Sequence, residues 1–261
     1  MCRMTYQTPQ VQNRVDGWVK KGPYPSLLAQ LEWEAHIVEY VTYIYGLTKV
    51  HGNATKGTLP KPLPREIPLL GPQFVPPSYL HAQRRHGAPD LKPQSAYLKS
   101  LNIIHPFYYP MLARCPQCKS DSVLWDGWTN TGARDVHGVS KEERALGTQL
   151  RCNGCEDSEP GENARGKRFR VATTNPLFWE KWEHWEVPSS SATALFKVKH
   201  IGDSHHMPTD GIPHFFKRCA VTRELFNLIV EFRPSQTSGG LAENIKRECH
   251  STWKMCDPHR I

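Results

Sequence analysis

The sequence predicts an α+β fold in which a small centre organised by cysteine pairs is flanked by helices, with a Pro-rich linker and irregular segments. Three observations predict it. One C-x-x-C pair is formed by Cys115 and Cys118, and a second by Cys152 and Cys155. Apolar residues recur at helical spacing on both sides of these pairs, and prolines crowd residues 58–79. Helical periodicity indicates an amphipathic helix, whereas dense prolines exclude one.

These patterns divide the chain into five predicted segments. They are an N-terminal helical segment at 1–56, a Pro-rich linker at 57–102, a zinc-ribbon-like domain at 103–188, a loop or insertion at 189–214 and a C-terminal helical hairpin at 215–261. The chain has 261 residues, of which 38% are hydrophobic and 22 are prolines. This composition favours two modest packed units over one large core.

The clearest N-terminal helix runs from Ser26 to Tyr45, with Ser26 as its cap and Gly46 as its end. We expect Glu34 on its exposed face, together with Glu32 and Glu39. Its apolar face is formed by Leu27, Leu31, Val38, Val41 and Tyr45.

The C-terminal segment predicts a pair of helices. The first runs from Thr222 to Phe232, is amphipathic and has Thr222 as its cap. The second runs from Leu241 to Cys249. Their connection is longer than the turn of a helix-turn-helix, so an ordinary helical hairpin is favoured.

Two aromatic tracts flank the cysteine pairs. The first, residues 103–110, predicts a short strand and turn packed beneath the cysteine module. The second contains Phe178, Trp179, Trp182 and Trp185, and predicts a helix that buries Phe178, Trp182 and Trp185 on one face. An aromatic platform for bases is the alternative. Burial is favoured, since tryptophan contributes most when it is packed in a core.

Cys115, Cys118, Cys152 and Cys155 are the predicted metal ligands. Two residues between the cysteines of a pair let both thiolates face one point, and two such knuckles supply the four soft ligands of a tetrahedral zinc site. Four thiolates leave no open coordination position, so the sequence predicts one structural Zn²⁺ and no catalytic metal here. A redox dithiol would need a βαβ setting, which is missing. Coincidental buried cysteines remain the other alternative.

The surroundings of the pairs predict a ribbon. Residues 123–125 and 148–150 are its expected strands, and residues 127–141 an inserted loop. Gly154 is expected to adopt a positive φ in its turn. Three cations beside the knuckles are expected to offset the charge of a zinc tetrathiolate: Arg114, Lys119 and Arg151.

The net charge of +8 favours an acidic partner such as DNA. The positive charge does not come from the cysteine module, because residues 115–155 contain five basic and five acidic residues. A basic surface is expected at one of two clusters, Lys167 with Arg168 and Arg170, or Lys217 with Arg218.

The sequence predicts an intracellular protein, nuclear or cytoplasmic, in which thiols stay reduced. No stretch approaches the length of an apolar membrane span, and residues 1–15 lack the apolar core of a signal peptide. We therefore expect no membrane association.

No catalytic residue and no small-molecule substrate are predicted. The sequence lacks a Gly-rich phosphate loop, a nucleophile elbow and a carboxylate pair. One segment rich in metal-ligating side chains could hold a catalytic metal, although a solvated loop is favoured. Its residues are His200, Asp203, His205, His206, Asp210 and His214. The remaining cysteines are interpreted as isolated thiols: Cys2, Cys219, Cys249 and Cys256.

Four tracts together resemble a fungal domain family of unknown function found in transposon-derived, transposase-like proteins. They are residues 105–110, the CPQC and CNGC knuckles, Phe178-Trp179 with residues 182–185, and residues 218–226. The resemblance covers residues 103–245 and implies a zinc-bearing accessory domain. In longer relatives this region precedes a nuclease-like catalytic part, which we expect to be missing here. Residues 189–210 look like an insertion relative to the family pattern.

The sequence therefore predicts a zinc-binding accessory module that binds DNA or a transposase-like partner. Two other functions remain open: a structural protein–protein adaptor, and a metal-dependent nuclease that uses the His-rich loop.

Overall fold

The computed structural model describes residues 9–22, 26–48, 63–64, 66–76, 97–109, 112, 114–155, 169–180, 212–232, 240 and 243. The chain divides into two compact units, Met1–Lys99 with Asn130–Gly132, and Ser100–Thr129 with Ala133–Ile261. Both helices and a mixed sheet are present, so the predicted α+β class is confirmed. The five predicted segment boundaries stay a prediction.

The first unit contains helices α1 (Pro9–Lys21) and α2 (Leu28–Thr48). The two helices pack on one another, and Arg14 of α1 pairs with Glu39 of α2 at 2.7 Å. Helix α1 was not predicted, although the helical spacing of its apolar residues could have indicated it. Its buried residues are Val11, Val15 and Trp18, which lie on one helical face.

Helix α2 confirms the predicted N-terminal helix but differs at both ends. The carbonyl of Leu27 accepts the first helical hydrogen bonds, and the helix continues through Gly46 to Thr48. The prediction that Glu34 is exposed is wrong. Glu34 is fully buried and accepts a hydrogen bond from Gln30 Nε2 at 2.7 Å. Apolar residues occupy most of the circumference of α2, so its acidic positions are not confined to one wet face.

The described part of the Pro-rich linker is largely extended, as predicted, and packs against α2. The Tyr40 hydroxyl donates to the carbonyl of Pro68 and accepts from the amide of Leu70 at 3.3 Å. The Tyr40 ring also meets Phe74 edge-on, with 6.1 Å between ring centroids. Phe74 belongs to the two-residue strand β1 (Gln73–Phe74) and is buried. This part of the linker is therefore held in place by aromatic contacts.

The second unit is built around a mixed sheet. Its elements are β2 (Ser100–Ile104), β3 (Val123–Trp128), β4 (Arg134–His137), β5 (Glu143–Cys152), β6 (Arg170–Ala172), α3 (Pro176–Glu180), β7 (His214–Phe215), β8 (Ala220–Val221) and α4 (Arg223–Phe232). The strand order is β2-β5-β4-β8-β7, and β3 and β6 also pair with β5. The β2/β5 and β4/β8 pairs are parallel, and the other pairs are antiparallel.

Strand β5 is the centre of this unit, because its first half pairs with β2 and β4 and its second half with β3 and β6. The two halves meet at Gly147, where a Cβ would lie 2.4 Å from Thr173 Oγ1. That hydroxyl donates to the carbonyl of Ile104 at 2.8 Å and accepts from the amide of Thr148 at 3.1 Å. Glycine is needed here for close approach.

Strands are present at the predicted residues 123–125 and 148–150, and they pair antiparallel, with Trp125 of β3 opposite Leu150 of β5. A register shift between Trp125 and Trp128 includes Gly127 at φ 95°, which is typical of a β-bulge. The prediction of a plain inserted loop at 127–141 is wrong in part, because it contains β4. In β4 only Val136 is fully buried among charged and polar neighbours, so the strand has no alternating apolar pattern.

The first aromatic tract forms the predicted strand and turn. Strand β2 is buried along its length, and the turn after it is closed by amide donors of Tyr108 and Tyr109 to the carbonyl of His105.

The second aromatic tract is buried where the structure describes it. Phe178 and Trp179 of α3 are both in the core, and Trp179 Nε1 donates to the carbonyl of Thr173 at 2.8 Å. This differs from the prediction that a single helical face is buried, because the adjacent residues Phe178 and Trp179 are both buried. Trp182 and Trp185 lie outside the described residues.

The predicted helix at Thr222–Phe232 is confirmed as α4. The carbonyl of Thr222 accepts from the amide of Phe226 at 2.9 Å, and Thr222 Oγ1 accepts from the amide of Leu225 at 3.3 Å. Thr222 is thus its N-cap. The predicted second helix of the hairpin, residues 241–249, lies almost wholly outside the described residues.

Candidate metal centre

The four predicted ligands converge on one point. The sulfur atoms of Cys115, Cys118, Cys152 and Cys155 all lie within 4.8 Å of one another. Cys115 Sγ is 3.7 Å from Cys155 Sγ, and Cys118 Sγ is 3.5 Å from Cys152 Sγ. Each close pair joins one knuckle to the other, so these cysteines lie close enough to coordinate a single metal ion. Among the described residues, these four cysteines are the group of cysteine, histidine or acidic side chains that could hold a metal ion.

The first knuckle is shaped by its backbone. The amide of Lys119 donates to the carbonyl of Cys115 at 2.9 Å, and the amide of Cys115 donates to the carbonyl of Ser120 at 2.9 Å. Lys119 has φ 60°, the left-handed conformation that turns the chain back after Cys118. These bonds hold both sulfurs of the pair on one side of the turn.

The second knuckle follows the end of β5. Strand pairing places Cys152 opposite Val123 of β3, and the amide of Cys152 donates to the carbonyl of Phe169 at 2.9 Å. The amide of Asn153 donates to the carbonyl of Ser122 at 3.0 Å, which links this knuckle to the segment that follows the first one. The sheet therefore positions the second knuckle, and a backbone hydrogen bond links the first knuckle to it.

Gly154 has a role different from the predicted one. It is not among the described residues with positive φ. A Cβ at Gly154 would instead lie 3.0 Å from Ser120 Oγ and 3.1 Å from Ser120 Cβ. A larger residue would make Ser120 shift, because the two knuckles approach each other there. Ser120 was missed from the sequence, and its position two residues after the second cysteine of the pair is the signal that could have found it.

The electrostatics of the sulfur cluster favour a bound cation. Burial, followed by hydrogen bonding with Cys118 and Cys115, raises the pKa of Cys152 and of Cys155 above the ordinary thiol value. Burial also raises the pKa of Cys118, but hydrogen bonds from the Ser120 amide and from neighbouring thiols outweigh it, and that pKa is lowered. Without a cation, the raised pKa of Cys152 and of Cys155 disfavours their ionisation. A divalent ion would supply the charge that lets them ionise together.

Two of the three cations expected to offset the thiolates, Arg114 and Arg151, are themselves paired. Arg114 contacts Asp121 at 2.9 Å, and Arg151 contacts Asp126 at 3.4 Å. Asp126 also contacts Arg170 at 3.5 Å. Arg151 and Arg170 lie opposite each other on β5 and β6, so one carboxylate bridges both guanidinium groups. The arginine charges near the knuckles are thus largely balanced by aspartates.

The other predicted site residues are only partly described. The His-rich segment from His200 to Asp210, and Lys167 with Arg168, lie outside the described residues. His214 lies in β7 and stacks on Phe226 with 3.9 Å between ring centroids. Burial, followed by the charge of Arg223, lowers its pKa. Lys217 and Arg218 are exposed between β7 and β8, and Cys219 lies apart from the cysteine cluster.

No protein-family profile, curated protein or solved structure matches this chain. No helix in the described residues is both long enough and apolar enough to cross a membrane.

Proposed function

We propose that the chain binds one structural Zn²⁺ through Cys115, Cys118, Cys152 and Cys155, and that the surrounding strands form a zinc ribbon. The sulfur separations of 3.5 and 3.7 Å carry this proposal. A tetrahedral tetrathiolate with Zn–S bonds of about 2.3 Å has sulfur–sulfur edges of about 3.8 Å. The two short separations are close to that edge, and all four sulfurs lie within 4.8 Å of one another.

The ion would add a direct link between two turns that the backbone already joins through the hydrogen bond from the amide of Asn153 to the carbonyl of Ser122. Cys115 and Cys152 are buried, but Cys118, Lys119 and the residues beside them are exposed. Because four thiolates complete the coordination of zinc, the ion would stabilise the fold and would not activate water.

Metal content tests the zinc proposal. Purified protein should contain one zinc per chain, and Cys152→Ser should lower this to a small fraction and reduce the folded signal in circular dichroism. The matched control is Cys219→Ser, which removes a thiol outside the cluster and should keep one zinc. Equal zinc content in both variants would refute the assigned ligand set.

We further propose that this zinc-stabilised module binds DNA, as an accessory part of a transposon-derived protein. The net charge of +8 supports an acidic partner, and the resemblance of four sequence tracts to a transposase-associated domain family supports the accessory role. Binding to phosphates releases counterions, so its affinity should fall steeply as salt rises. An anisotropy titration that finds no salt-sensitive binding to single-stranded or duplex DNA would exclude the DNA proposal.

A transposase-like protein is the second candidate partner, with the ribbon as a purely structural adaptor. The balanced charges near the knuckles favour it, since Arg114, Arg151 and Arg170 each contact an aspartate. A complex of this kind should survive high salt, unlike a complex with DNA. Capture of a transposase-like chain at high salt, with no DNA binding at low salt, would select the adaptor.

A further inference from the structure

The β7–β8 hairpin ends in a tight tip made of Phe216, Lys217, Arg218 and Cys219. The amide of Phe216 donates to the carbonyl of Cys219 at 2.8 Å, which closes the turn. The strands that lead into it pair Phe215 with Ala220 and His214 with Val221. Lys217 and Arg218 occupy the two central positions and are exposed.

Core packing anchors this tip. Phe215 is buried and stacks on Trp179, with ring centroids 6.3 Å apart and planes 15° apart. Ala220 is also buried, and it pairs with Val136 of β4. Since successive strand residues point to opposite faces, the burial of Phe215 turns Phe216 outward. Phe216 is 44% exposed, so an aromatic ring faces solvent beside two cations.

Within the part of the chain that the structure describes, no carboxylate balances the cations at the tip. In the described ranges no ion pair involves Lys217 or Arg218. A third cation, Arg134, lies at the same end of the sheet and donates from Nη1 to the carbonyl of Phe216 at 2.9 Å. Asp135, which follows it, is 3.6 Å from Arg144. The tip therefore combines a fixed backbone, an exposed ring and net positive charge.

We propose that this hairpin tip binds single-stranded DNA, with Phe216 stacking on a base and Lys217 and Arg218 contacting phosphates. The proposal rests on the proposed DNA-binding function and specifies its surface and the form of DNA. An exposed aromatic ring beside cations is how proteins hold unpaired strands, because every base offers a face for stacking. In a duplex the base faces are already stacked, so Phe216 would have no base to cover.

The test uses the full chain loaded with zinc and a fluorescent oligothymidylate, compared with a duplex of equal length. Phe216→Ala should weaken binding to the single strand about tenfold. The double variant Lys217→Ala with Arg218→Ala should weaken it further. It should also reduce the slope of log affinity against log salt by about 0.7 for each phosphate that is no longer neutralised.

Matched controls separate the tip from general effects. Leu177→Ala removes another exposed apolar side chain, 54% exposed on α3, and should change affinity less than twofold. Lys20→Ala with Lys21→Ala removes two adjacent exposed cations at the end of α1, and so changes the net charge as the tip variant does. It should leave the single-strand affinity within about twofold. Zinc content and circular dichroism confirm that each variant is folded.

The outcomes distinguish two failures. If the unmodified protein binds neither form of DNA, the proposed DNA function fails. If it binds DNA but the tip variants bind as well as the controls, the tip assignment is overturned and the function stands. Equal affinity for duplex and single strand, unchanged by Phe216→Ala, would overturn the stacking role.

Discussion

Strands β5 and β6, next to the knuckles, and the β7–β8 hairpin both carry cationic side chains, but in different surroundings. On β5 and β6, Arg151 and Arg170 share the carboxylate of Asp126. At the hairpin tip, Lys217 and Arg218 are exposed, with no carboxylate paired to them within the described residues. Charge that is already paired contributes little to attracting an anionic partner. Whether an arginine is paired with an aspartate therefore indicates a binding surface better than the number of arginines does.

The two regions also differ in what holds them together. The knuckles are polar turns tied by backbone hydrogen bonds and by sulfurs placed to share an ion. The hairpin is held by burial of Phe215 on one side and by the apolar contacts of Val139, Val221 and Leu225 on the other. We therefore expect metal to control the stability of the first region, and core packing that of the second.

The largest change in stability should come from Phe215 of the hairpin, and its neighbour Phe216 provides the comparison. Phe215→Ala removes a ring that is only 3% exposed and should lower the free energy of unfolding by about 3–5 kcal/mol. Phe216→Ala truncates an exposed ring and should change it by less than about 0.5 kcal/mol. Urea denaturation of the zinc-loaded variants measures both. Similar losses would mean that the hairpin does not separate an inner from an outer face.

Gly154→Ala tests whether the knuckles need their close approach. The added Cβ would meet Ser120 at 3.0–3.1 Å, and the strain should weaken zinc-bound stability by about 1–3 kcal/mol. Zinc affinity measured by competition with a chelator should fall with it. The control is Gly17→Ala in α1, where no atom lies within 4 Å and a gain of about 0.5–1 kcal/mol is expected. An unchanged zinc affinity in Gly154→Ala would argue against the contact between knuckles.

Thr222→Ala should destabilise helix α4, which packs beside the hairpin, without changing zinc binding. It removes the hydroxyl that caps α4 and should cost about 1 kcal/mol, while zinc affinity stays constant. Asn227→Ala, at an exposed position of the same helix, serves as the control and should not destabilise. A fall in zinc affinity in Thr222→Ala would show that the two regions are coupled.

The smallest change in stability, with a distinct effect on binding, is expected for Asp126→Asn. Loss of this carboxylate should alter the free energy of unfolding by less than about 1 kcal/mol. It should also free Arg151 and Arg170 and so steepen the salt dependence of DNA binding. Asp121→Asn frees only Arg114 and should have the weaker effect. If both variants bind DNA with the same salt dependence as the unmodified protein, pairing with aspartates does not explain the difference between strands β5 and β6 and the tip.

Local patterns in the sequence were sufficient for much of the site. The grouping of the four cysteines follows from C-x-x-C spacing, because a tight turn fixes where the two thiols of a pair point. Helix α4 and its cap follow from periodicity and from Thr222, and the strands at 123–125 and 148–150 follow from the strand-like flanks of the knuckles.

The remaining features depend on contacts between distant residues. Strand β4 carries almost no apolar pattern and exists because β5 and β8 pair with it on either side. Gly154 is explained by Ser120 in the other knuckle, and the buried Glu34 by its contact with Gln30. The neutralisation of Arg151 and Arg170 requires a bulged strand to bring Asp126 beside them. No single stretch of sequence encodes these relations.

X-ray absorption at the zinc edge of the purified protein tests the central claim most directly. A structural tetrathiolate predicts a first shell of four sulfur atoms at about 2.3 Å, with no nitrogen or oxygen ligand. A shell with fewer sulfurs, or with nitrogen or oxygen at about 2.0–2.1 Å, would contradict the four-cysteine zinc centre.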